Sequence, residues 1–425
     1  MNRRTKDPTR ARAARAILRR LLEHVPGGTL DLVDASGTAH FGTGEPDWAE
    51  SSLRARVDVH DARVYERVLR KGGIGLGESY ADGWWDADDL AGFLRIALRG
   101  LGPLNARRDD FHRLATPIFD PIARLRRADP QRDARHVRAH YDLGNEFFAR
   151  VLDETMAYSC AIFDADDMTL ADASIAKFDR LARALDLSPG DRLLEIGTGW
   201  GGFALHAAQC YGCLVTTTTI SPRQHNFALE RVRAAGLDDR IVVLDTDYRD
   251  LRGTFDKAVA IEMIEAVDWR EYDTFFERMR GLLTDDGALA MQAIVAPERS
   301  FDRLKRRTDF IKAQIFPGGC LPSVGALTAA AKRSGRLTLR NVDDIGPHYG
   351  ETLRRWRVNL TRIAPDLPAL GLDPSFARLW AFYFAYCEAG FEERYISATQ
   401  LLYATPGFRP RPPVYTRNNL DASAA

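Results

Sequence analysis

The stretch LLEIGTGWGG, residues 193–202, constrains the fold of this 425-residue chain more strongly than any other segment. A short apolar run leads into a glycine-rich turn, and the turn leads into GGFALHAAQC, which is typical of a helix. Gly197, Gly199 and Gly202 have the G-x-G-x-x-G spacing of nucleotide-binding turns. The segment therefore predicts a buried strand, a turn whose backbone approaches a ligand, and a helix.

Strand and helix patterns alternate beyond this turn. The runs CLVTTTTI, RIVVLDT, DKAVAI and ALAMQAIV predict strands, while SPRQHNFALERVRAAG and DWREYDTFFERMRGLL predict helices. In the helix predicted for SPRQHNFALERVRAAG we expect Ser221 at the N-cap, Pro222 at the first helical position and Gln224 as the partner in a capping box. Helices over 350–363 and 374–391 and a strand near ATQLLYAT follow. The alternation predicts an α/β fold with a doubly wound parallel sheet.

The position of the acidic residue distinguishes between two adenosine cofactors. A dinucleotide site usually has a carboxylate about 20 positions after the glycines, but here the second strand ends in TTTTIS. The acid is instead Glu195, which closes the first strand just before Gly197 and Gly199. This order is typical of the S-adenosylmethionine loop of class I methyltransferases with a Rossmann-like fold. It argues against a hydride-transferring dehydrogenase.

The N-terminal part of the chain predicts a small α+β unit. TLDLVDASGTAHFG is typical of a hairpin, and DARVYERVLRKG of an amphipathic helix that ends at Gly72 or Gly73. A segment rich in Arg, Asp and Pro then separates it from the strand–helix alternation. We expect an N-terminal domain over 1–104, a linker over 105–135 and a catalytic domain over 136–425.

Charge and composition limit the partners. The 59 Lys and Arg residues balance the 59 Asp and Glu residues, which argues against nucleic acid. Residues 1–20 carry eight Lys or Arg and one Asp, which fits a solvated terminus or a basic helix on an anionic membrane. No apolar run reaches the roughly 18 residues of a membrane span, and the N-terminus lacks the apolar region of a secretory signal. We expect a cytoplasmic protein with peripheral membrane contact.

The five cysteines indicate a reducing compartment. Cys210 and Cys213 form a C-x-x-C pair, but no second pair or nearby histidine pair completes a zinc site. We expect one to end a helix and the other to open a strand, and we expect no metal.

Nine segments together resemble the cyclopropane-fatty-acyl-phospholipid synthases and the related mycolic acid cyclopropane synthases. The similarity runs through nearly the whole chain, and GGIGLGESYADGWWDADDL looks like the N-terminal domain of the full-length, phospholipid-modifying members. The segments are HYDLGNEFF (140–148), MAYSCAIF (156–163), LEIGTGWGG (194–202), TTISPRQ (218–224), DYRDL (247–251), IEMIEAV (261–267), FIKAQIFPGGCLPS (310–323), HYGETLRRWR (348–357) and YCEAGF (386–391).

The resemblance implies transfer of a one-carbon group from S-adenosylmethionine to the double bond of an unsaturated acyl chain of a membrane phospholipid. The resulting carbocation loses a proton from the new methyl group and closes to a cyclopropane, with a bound bicarbonate ion as the proton acceptor. The N-terminal domain would dock on lipid, and a homodimer is compatible with the sequence. Two alternatives stay open: methylation that gives a methyl- or methylene-branched chain, and a non-catalytic lipid-binding protein.

The same resemblance assigns site residues in two groups. The group at the reacting centre comprises Cys160, Glu265, Ile294 (through its backbone), Tyr349 and, more weakly, Cys387. The group that contacts the cofactor, with Glu195 from the loop pattern, comprises Tyr158, Ser159, Gly197, Gly199, Thr219, Ile220, Gln224, Asp247 and Tyr248. The aromatic run WAFYFAYCEAGF (380–391) also suits an apolar substrate and a cationic intermediate, because aromatic faces can stabilise a cation.

One position departs from the family pattern. Gln292, in MQAIV, stands where well-known bacterial members have a histidine. A neutral amide can donate a hydrogen bond to bicarbonate but cannot carry a positive charge. The departure leaves the deprotonation step, and with it the product, open.

Overall fold

The computed structural model describes residues 9–23, 25, 27–44, 53–100 and 144–411. The expected linker over 105–135 lies outside these residues, as does the beginning of the basic N-terminal stretch. Within the described part of the chain, no helix is both long and apolar enough to cross a bilayer.

In the described residues, the N-terminal unit is a four-stranded sheet, in the order β2-β1-β3-β4, with four helices. The predicted hairpin is confirmed as the antiparallel pair β1–β2. The predicted amphipathic helix is also confirmed; it ends at Gly72, whose φ of 58° suits glycine. The elements are α1 (Thr9–Leu22), β1 (Gly28–Asp34), β2 (Gly37–Gly44), β3 (Leu53–Val59), α2 (Arg63–Lys71), α3 (Gly73–Ala81), β4 (Trp85–Ala87) and α4 (residues 90–100).

A second sheet of seven strands has the order β10-β11-β9-β8-β5-β6-β7. Neighbouring strands from β5 to β9 are parallel, which confirms the predicted doubly wound core, whereas β11 is antiparallel to both β9 and β10. The strands are β5 (Arg192–Ile196), β6 (Leu214–Thr218), β7 (Ile241–Leu244), β8 (Phe255–Ile261), β9 (Leu283–Val295), β10 (Thr338–Asp344) and β11 (Ser397–Ala404).

Ten α-helices of the described chain accompany this sheet. Thr169 and Asp172 cap the second of them in a reciprocal capping box. The predicted box at Ser221 is wrong: Ser221 caps its helix, but the Gln224 side chain accepts a hydrogen bond from Thr219 Oγ1 instead. The helices are α5 (Asn145–Val151), α6 (Leu170–Ala184), α7 (Gly202–Tyr211), α8 (Pro222–Ala234), α9 (Tyr272–Leu282), α10 (Glu298–Leu304), α11 (Phe310–Gln314), α12 (Val324–Ser334), α13 (Pro347–Ile363) and α14 (Pro374–Glu392).

The N-terminal unit packs directly on α14 and the residues that follow it. Arg95 and Arg99 of α4 each donate to the Glu393 carboxylate at 2.8 Å, and the Arg99 and Glu393 side chains are less than a tenth exposed. At Gly77 a Cβ atom would lie 2.3 Å from the Phe310 ring, so the close approach of α3 and α11 requires glycine. The two units therefore share one apolar core.

Candidate active site

A cavity of about 390 Å³ opens at the carboxyl ends of the parallel strands, where ligands of open α/β sheets bind. Most of the predicted site residues line it, whereas Cys160 and Gln292 lie behind its wall. The predicted residues in the wall are Tyr158, Ser159, Glu195, Gly197, Gly199, Thr219, Ile220, Gln224, Asp247, Tyr248, Glu265, Ile294, Tyr349 and Cys387.

The glycine loop forms one end of the cavity. Gly197 and Gly199 have φ values of 95° and 52°, which glycine adopts readily. Glu195, at the end of β5, is 2% exposed, and its Oε2 accepts a hydrogen bond from Thr217 Oγ1 at 2.6 Å. Burial raises the pKa of Glu195 to about 8, against the opposing effects of Thr217 and Lys177. A cation bound beside this carboxyl would favour its ionised form.

The wall beyond β6 and β7 is polar. Thr219 Oγ1 donates to Gln224 Oε1 at 2.9 Å, and Arg249 pairs with Asp247 through two hydrogen bonds of 2.7 and 2.9 Å. The Tyr248 ring packs edge-on against a core phenylalanine beneath it. This wall therefore offers a half-buried carboxylate and an aromatic side chain where the resemblance places adenine.

Glu262, which the sequence reasoning missed, lies at the centre of the reacting end. Its Oε1 accepts the backbone N–H of Cys160 at 2.8 Å and Nε2 of Gln292 at 2.9 Å, and its Oε2 accepts the Tyr349 hydroxyl at 2.6 Å. Its φ of 49° is left-handed, a conformation that costs a non-glycine residue about 1–3 kcal/mol. A signal was present in the sequence, because Glu262 directly follows DKAVAI, a predicted strand, and ligands of parallel sheets bind beyond the carboxyl ends of the strands.

Glu265 forms a carboxyl pair with Glu262. Its Oε1 accepts the backbone N–H of Ile294 at 2.5 Å, and its Oε2 is buried without a hydrogen-bond partner. Burial, and then the negative charge of Glu262, raise the pKa of Glu265 to about 8. Burial also raises the pKa of Glu262, against the hydrogen bonds from Tyr349, Gln292 and Cys160 and the charge of Lys177. Because Glu262 has three donors and Glu265 has one, the geometry favours the negative charge of the pair on Glu262.

The Gln292 amide is oriented by a residue that the sequence did not indicate. Gln400 of β11 lies opposite Gln292 in the strand register and donates to its Oε1 at 3.0 Å. The Gln292 NH₂ group therefore faces the Cys160 carbonyl, at 3.0 Å, and Glu262. Gln292 acts on the site as a hydrogen-bond donor only.

Lys177 places a buried cation beside the same site. This α6 side chain is fully buried, and its Nζ donates to Ser159 Oγ at 2.5 Å. Burial lowers the pKa of Lys177, while the charges of Glu262 and Glu195 oppose that shift. The Lys177 amine therefore lies where its charge would stabilise the ionised forms of the Glu262 and Glu195 carboxyl groups, at neighbouring strand ends.

The remaining wall is apolar and aromatic. Within the aromatic run 380–391, three residues line the cavity and three pack in the core. The lining residues are Tyr383, Tyr386 and Phe391, and the core residues are Trp380, Phe382 and Phe384. Phe391 stacks on Tyr349 with ring centroids 4.3 Å apart, and Leu98 of α4 also reaches the cavity.

The two cysteines that the resemblance assigned to the site, Cys160 and Cys387, carry protonated thiols. Burial raises the pKa of the Cys160 and Cys387 thiols, so both stay protonated, and Cys160 serves the site through its backbone N–H. Cys210 lies near the end of α7 and Cys213 just before β6, close to the predicted positions. No cluster of potential metal ligands occurs among the residues that the structure covers.

Comparisons with known proteins identify the family of the chain. The family model described as mycolic acid cyclopropane synthetase matches residues 128–401. The tuberculostearic acid methyltransferase UfaA1 of Mycobacterium tuberculosis is 37% identical over 398 residues, which cover 92% of this chain and 90% of that protein. The cyclopropane-fatty-acyl-phospholipid synthase of Escherichia coli is 35% identical over 355 residues, 83% of this chain and 88% of that protein.

A solved structure of a mycolic acid cyclopropane synthase has a similar fold. The mycolic acid cyclopropane synthase CmaA1, complexed with SAH and CTAB, superimposes with a TM-score of 0.60 at 32% identity and covers 64% of this chain and 98% of that one. Glu195 and the open space beside Gly199 fit S-adenosylmethionine at the glycine loop of this chain. The chain therefore belongs to the mycolic acid cyclopropane synthetase family, and it is an S-adenosylmethionine-dependent enzyme that transfers a one-carbon group to lipid acyl chains.

Proposed function

We propose that this enzyme modifies the double bond of an unsaturated acyl chain in a membrane phospholipid and forms a cyclopropane fatty acid. The observation that carries the proposal is a single cavity. It joins the loop of Glu195 and the glycines to a wall that bears two carboxyl groups and a wide apolar surface.

Different residues of the cavity wall serve different steps of the proposed reaction. When bound, S-adenosylmethionine supplies an electrophilic methyl group. Leu98, Phe316 and Leu353 give an apolar wall for the alkene, and the Tyr158, Tyr383 and Phe391 rings can stabilise a developing cation. The apolar wall excludes water, which would otherwise trap the cation. A carboxylate of the cavity wall accepts the proton that the product must lose.

Bicarbonate does not fit the donors that the resemblance assigned to it. The Cys160 N–H, the Gln292 amide and the Tyr349 hydroxyl all donate to Glu262. The Ile294 N–H donates to Glu265. The proposed reaction therefore contains no step that uses bicarbonate.

A second product is supported by one comparison. The relative that is 37% identical over 92% of this chain is named as a tuberculostearic acid methyltransferase. Ring closure and branching begin with the same bond between the methyl group and the alkene. For a methylene branch, a hydride shifts from the methylated carbon to its cationic neighbour before the methyl group loses a proton. For an unsaturated methyl-branched chain, the proton is lost instead from a chain carbon next to the cation. The same cavity therefore serves a methyl- or methylene-branched product.

Lipid analysis tests the proposal and separates the products. The full chain is expressed in a host rich in monounsaturated phospholipid, and its fatty acids are examined by mass spectrometry. We expect a gain of one CH₂ that resists mild hydrogenation, as a ring does. A gain of CH₂ followed by uptake of hydrogen would indicate a methylene branch, and unchanged fatty acids would contradict the proposed function.

We further propose that α1 docks the enzyme on anionic membranes. Ile17 and Leu21, one helical turn apart, are 48% and 44% exposed, and Arg12 and Arg20 are exposed nearby in sequence. Arg19, in contrast, pairs with Asp34. An exposed apolar pair with basic neighbours suits a peripheral contact, in which each Arg contributes about 1 kcal/mol.

The double substitution Ile17→Glu with Leu21→Glu should therefore reduce sedimentation with anionic liposomes and leave cofactor affinity unchanged. The matched control is Ile175→Glu with Val358→Glu, because these helical residues are 39% and 47% exposed on other helices. Equal loss of binding in both double variants would contradict a docking role for α1.

Cofactor binding should release protons. Glu195 and Glu265, with pKa values of about 8, hold protons at neutral pH in the ligand-free protein. A bound sulfonium favours their ionised forms, so affinity should rise between about pH 6 and pH 8, by up to tenfold per pH unit for each proton released. Calorimetry in two buffers of different ionisation enthalpy counts these protons. S-adenosylhomocysteine, which lacks the sulfonium charge, should release fewer, and equal release would contradict this electrostatic account.

A further inference from the structure

We propose that Glu262 is the proton acceptor of the reaction and takes the place that bicarbonate has in other members of the family. The inference rests on the proposed function, since it concerns the proton lost after one-carbon transfer. It deepens that function by making the base a part of the chain.

The hydrogen bonds around Glu262 leave room for one more proton. A carboxylate offers about four acceptor positions. Two donors fill Oε1, from Cys160 and Gln292, and the Tyr349 hydroxyl fills one position of Oε2. One acceptor position of Oε2 is thus left, on a residue that lines the cavity.

The charges around Glu262 come from several elements. Lys177 on α6 and the three donors favour the carboxylate form, and burial and the neighbouring Glu265 oppose it. Tyr349 and Cys160 are the other titratable groups that face it, and both stay protonated because burial raises their pKa values. A carboxylate balanced in this way is available to accept a proton from a cationic intermediate.

The step balances as follows. The π electrons of the alkene form a bond to the methyl carbon, and the carbon–sulfur electrons stay on sulfur. The cation then lies on the other alkene carbon. Glu262 Oε2 takes a proton from the new methyl group, and the electrons of that C–H bond close the third side of the ring. The hydrocarbon becomes neutral, Glu262 becomes a neutral acid, and its proton returns to solvent after product release.

The backbone conformation at Glu262 allows a test by substitution with glycine. Glycine suits the φ of 49° at Glu262, so Glu262→Gly should fold and also leave space for a small anion among the donors. We expect wild-type transfer to be independent of bicarbonate. Without bicarbonate the Glu262→Gly variant should lose about 10²–10⁴-fold in rate, and added bicarbonate should restore part of that loss. Glu262→Gln keeps the side-chain volume, so it should be equally slow and not rescued.

Direct binding supplies a second measurement. Carbon-13 NMR with labelled bicarbonate should detect binding to the Glu262→Gly variant and none to the wild type, with thermal denaturation and cofactor affinity checked for each. Binding of bicarbonate to the wild type, full activity of Glu262→Gln, or no rescue of a folded Glu262→Gly variant would each overturn the inference. A wild type that transfers nothing to any unsaturated phospholipid would instead overturn the proposed function, while the binding experiment still decides the place of Glu262.

Discussion

The substitution Glu265→Gln should lower one-carbon transfer by about 10²–10⁴-fold while the fold stays intact. In the variant, the amide oxygen of the new side chain must accept the hydrogen bond from the Ile294 N–H. The NH₂ group of the amide therefore takes the place of the buried Oε2, which has no hydrogen-bond partner in the wild type. Glu265 is expected to ionise when the sulfonium binds, and its carboxylate can then offer a negative charge to a developing cation, whereas the amide of the variant cannot. Transfer to phospholipid vesicles is measured together with cofactor affinity and circular dichroism.

Glu277→Gln is the matched control for this variant. Glu277 lies on α9, twelve residues further along the chain, and is exposed. Its replacement should leave transfer unchanged. Wild-type turnover in the Glu265→Gln enzyme would mean that the site has been assigned to the wrong carboxylate.

The substitution Gly199→Val should lower S-adenosylmethionine affinity by about 100-fold, equivalent to about 2.8 kcal/mol, without unfolding the protein. A Cβ atom at Gly199 would meet no protein atom within 4 Å, so the new side chain fills space on the wall of the cavity. Calorimetry gives the affinity, and thermal denaturation gives the cost of the left-handed backbone.

Gly236→Val separates that backbone cost from the loss of cofactor space. Gly236 has a φ of 64° in an exposed turn and also has no neighbour within 4 Å of an added Cβ. It should therefore show a similar shift in melting temperature with normal cofactor affinity. A loss of affinity in both variants would point to the backbone rather than to the cavity.

Local patterns predicted the parts of the molecule that depend on local physics. The strand that ends at Ile196, the turn after it and the helix from Gly202 were visible because burial, glycine spacing and helical periodicity all act within a few residues. The capping box at Gln224 failed for a physical reason, since Thr219 competes for the same side chain.

The residues that the sequence did not reveal act over long distances in the chain. Gln400 reaches Gln292 only because β11 pairs antiparallel with β9 in one register, and no local pattern fixes that register. No local pattern around Lys177 indicated a role for this residue, yet the fold turns its side chain inward onto Ser159. The prediction that the aromatic run 380–391 serves the site holds for half of its rings, because only one face of α14 lines the cavity.

The place of β11 in the sheet has a consequence for synthesis of the protein. This strand, Ser397–Ala404, inserts between β9 and β10, both of which precede it in the chain. While a ribosome is still making the C-terminal part, the largely buried β9 has an unpaired apolar edge, which is a template for aggregation. Gln292 also lacks Gln400 during this interval. A nascent chain therefore needs protection of one sheet edge until residue 404 has emerged, and the catalytic centre is completed at the same moment as the sheet.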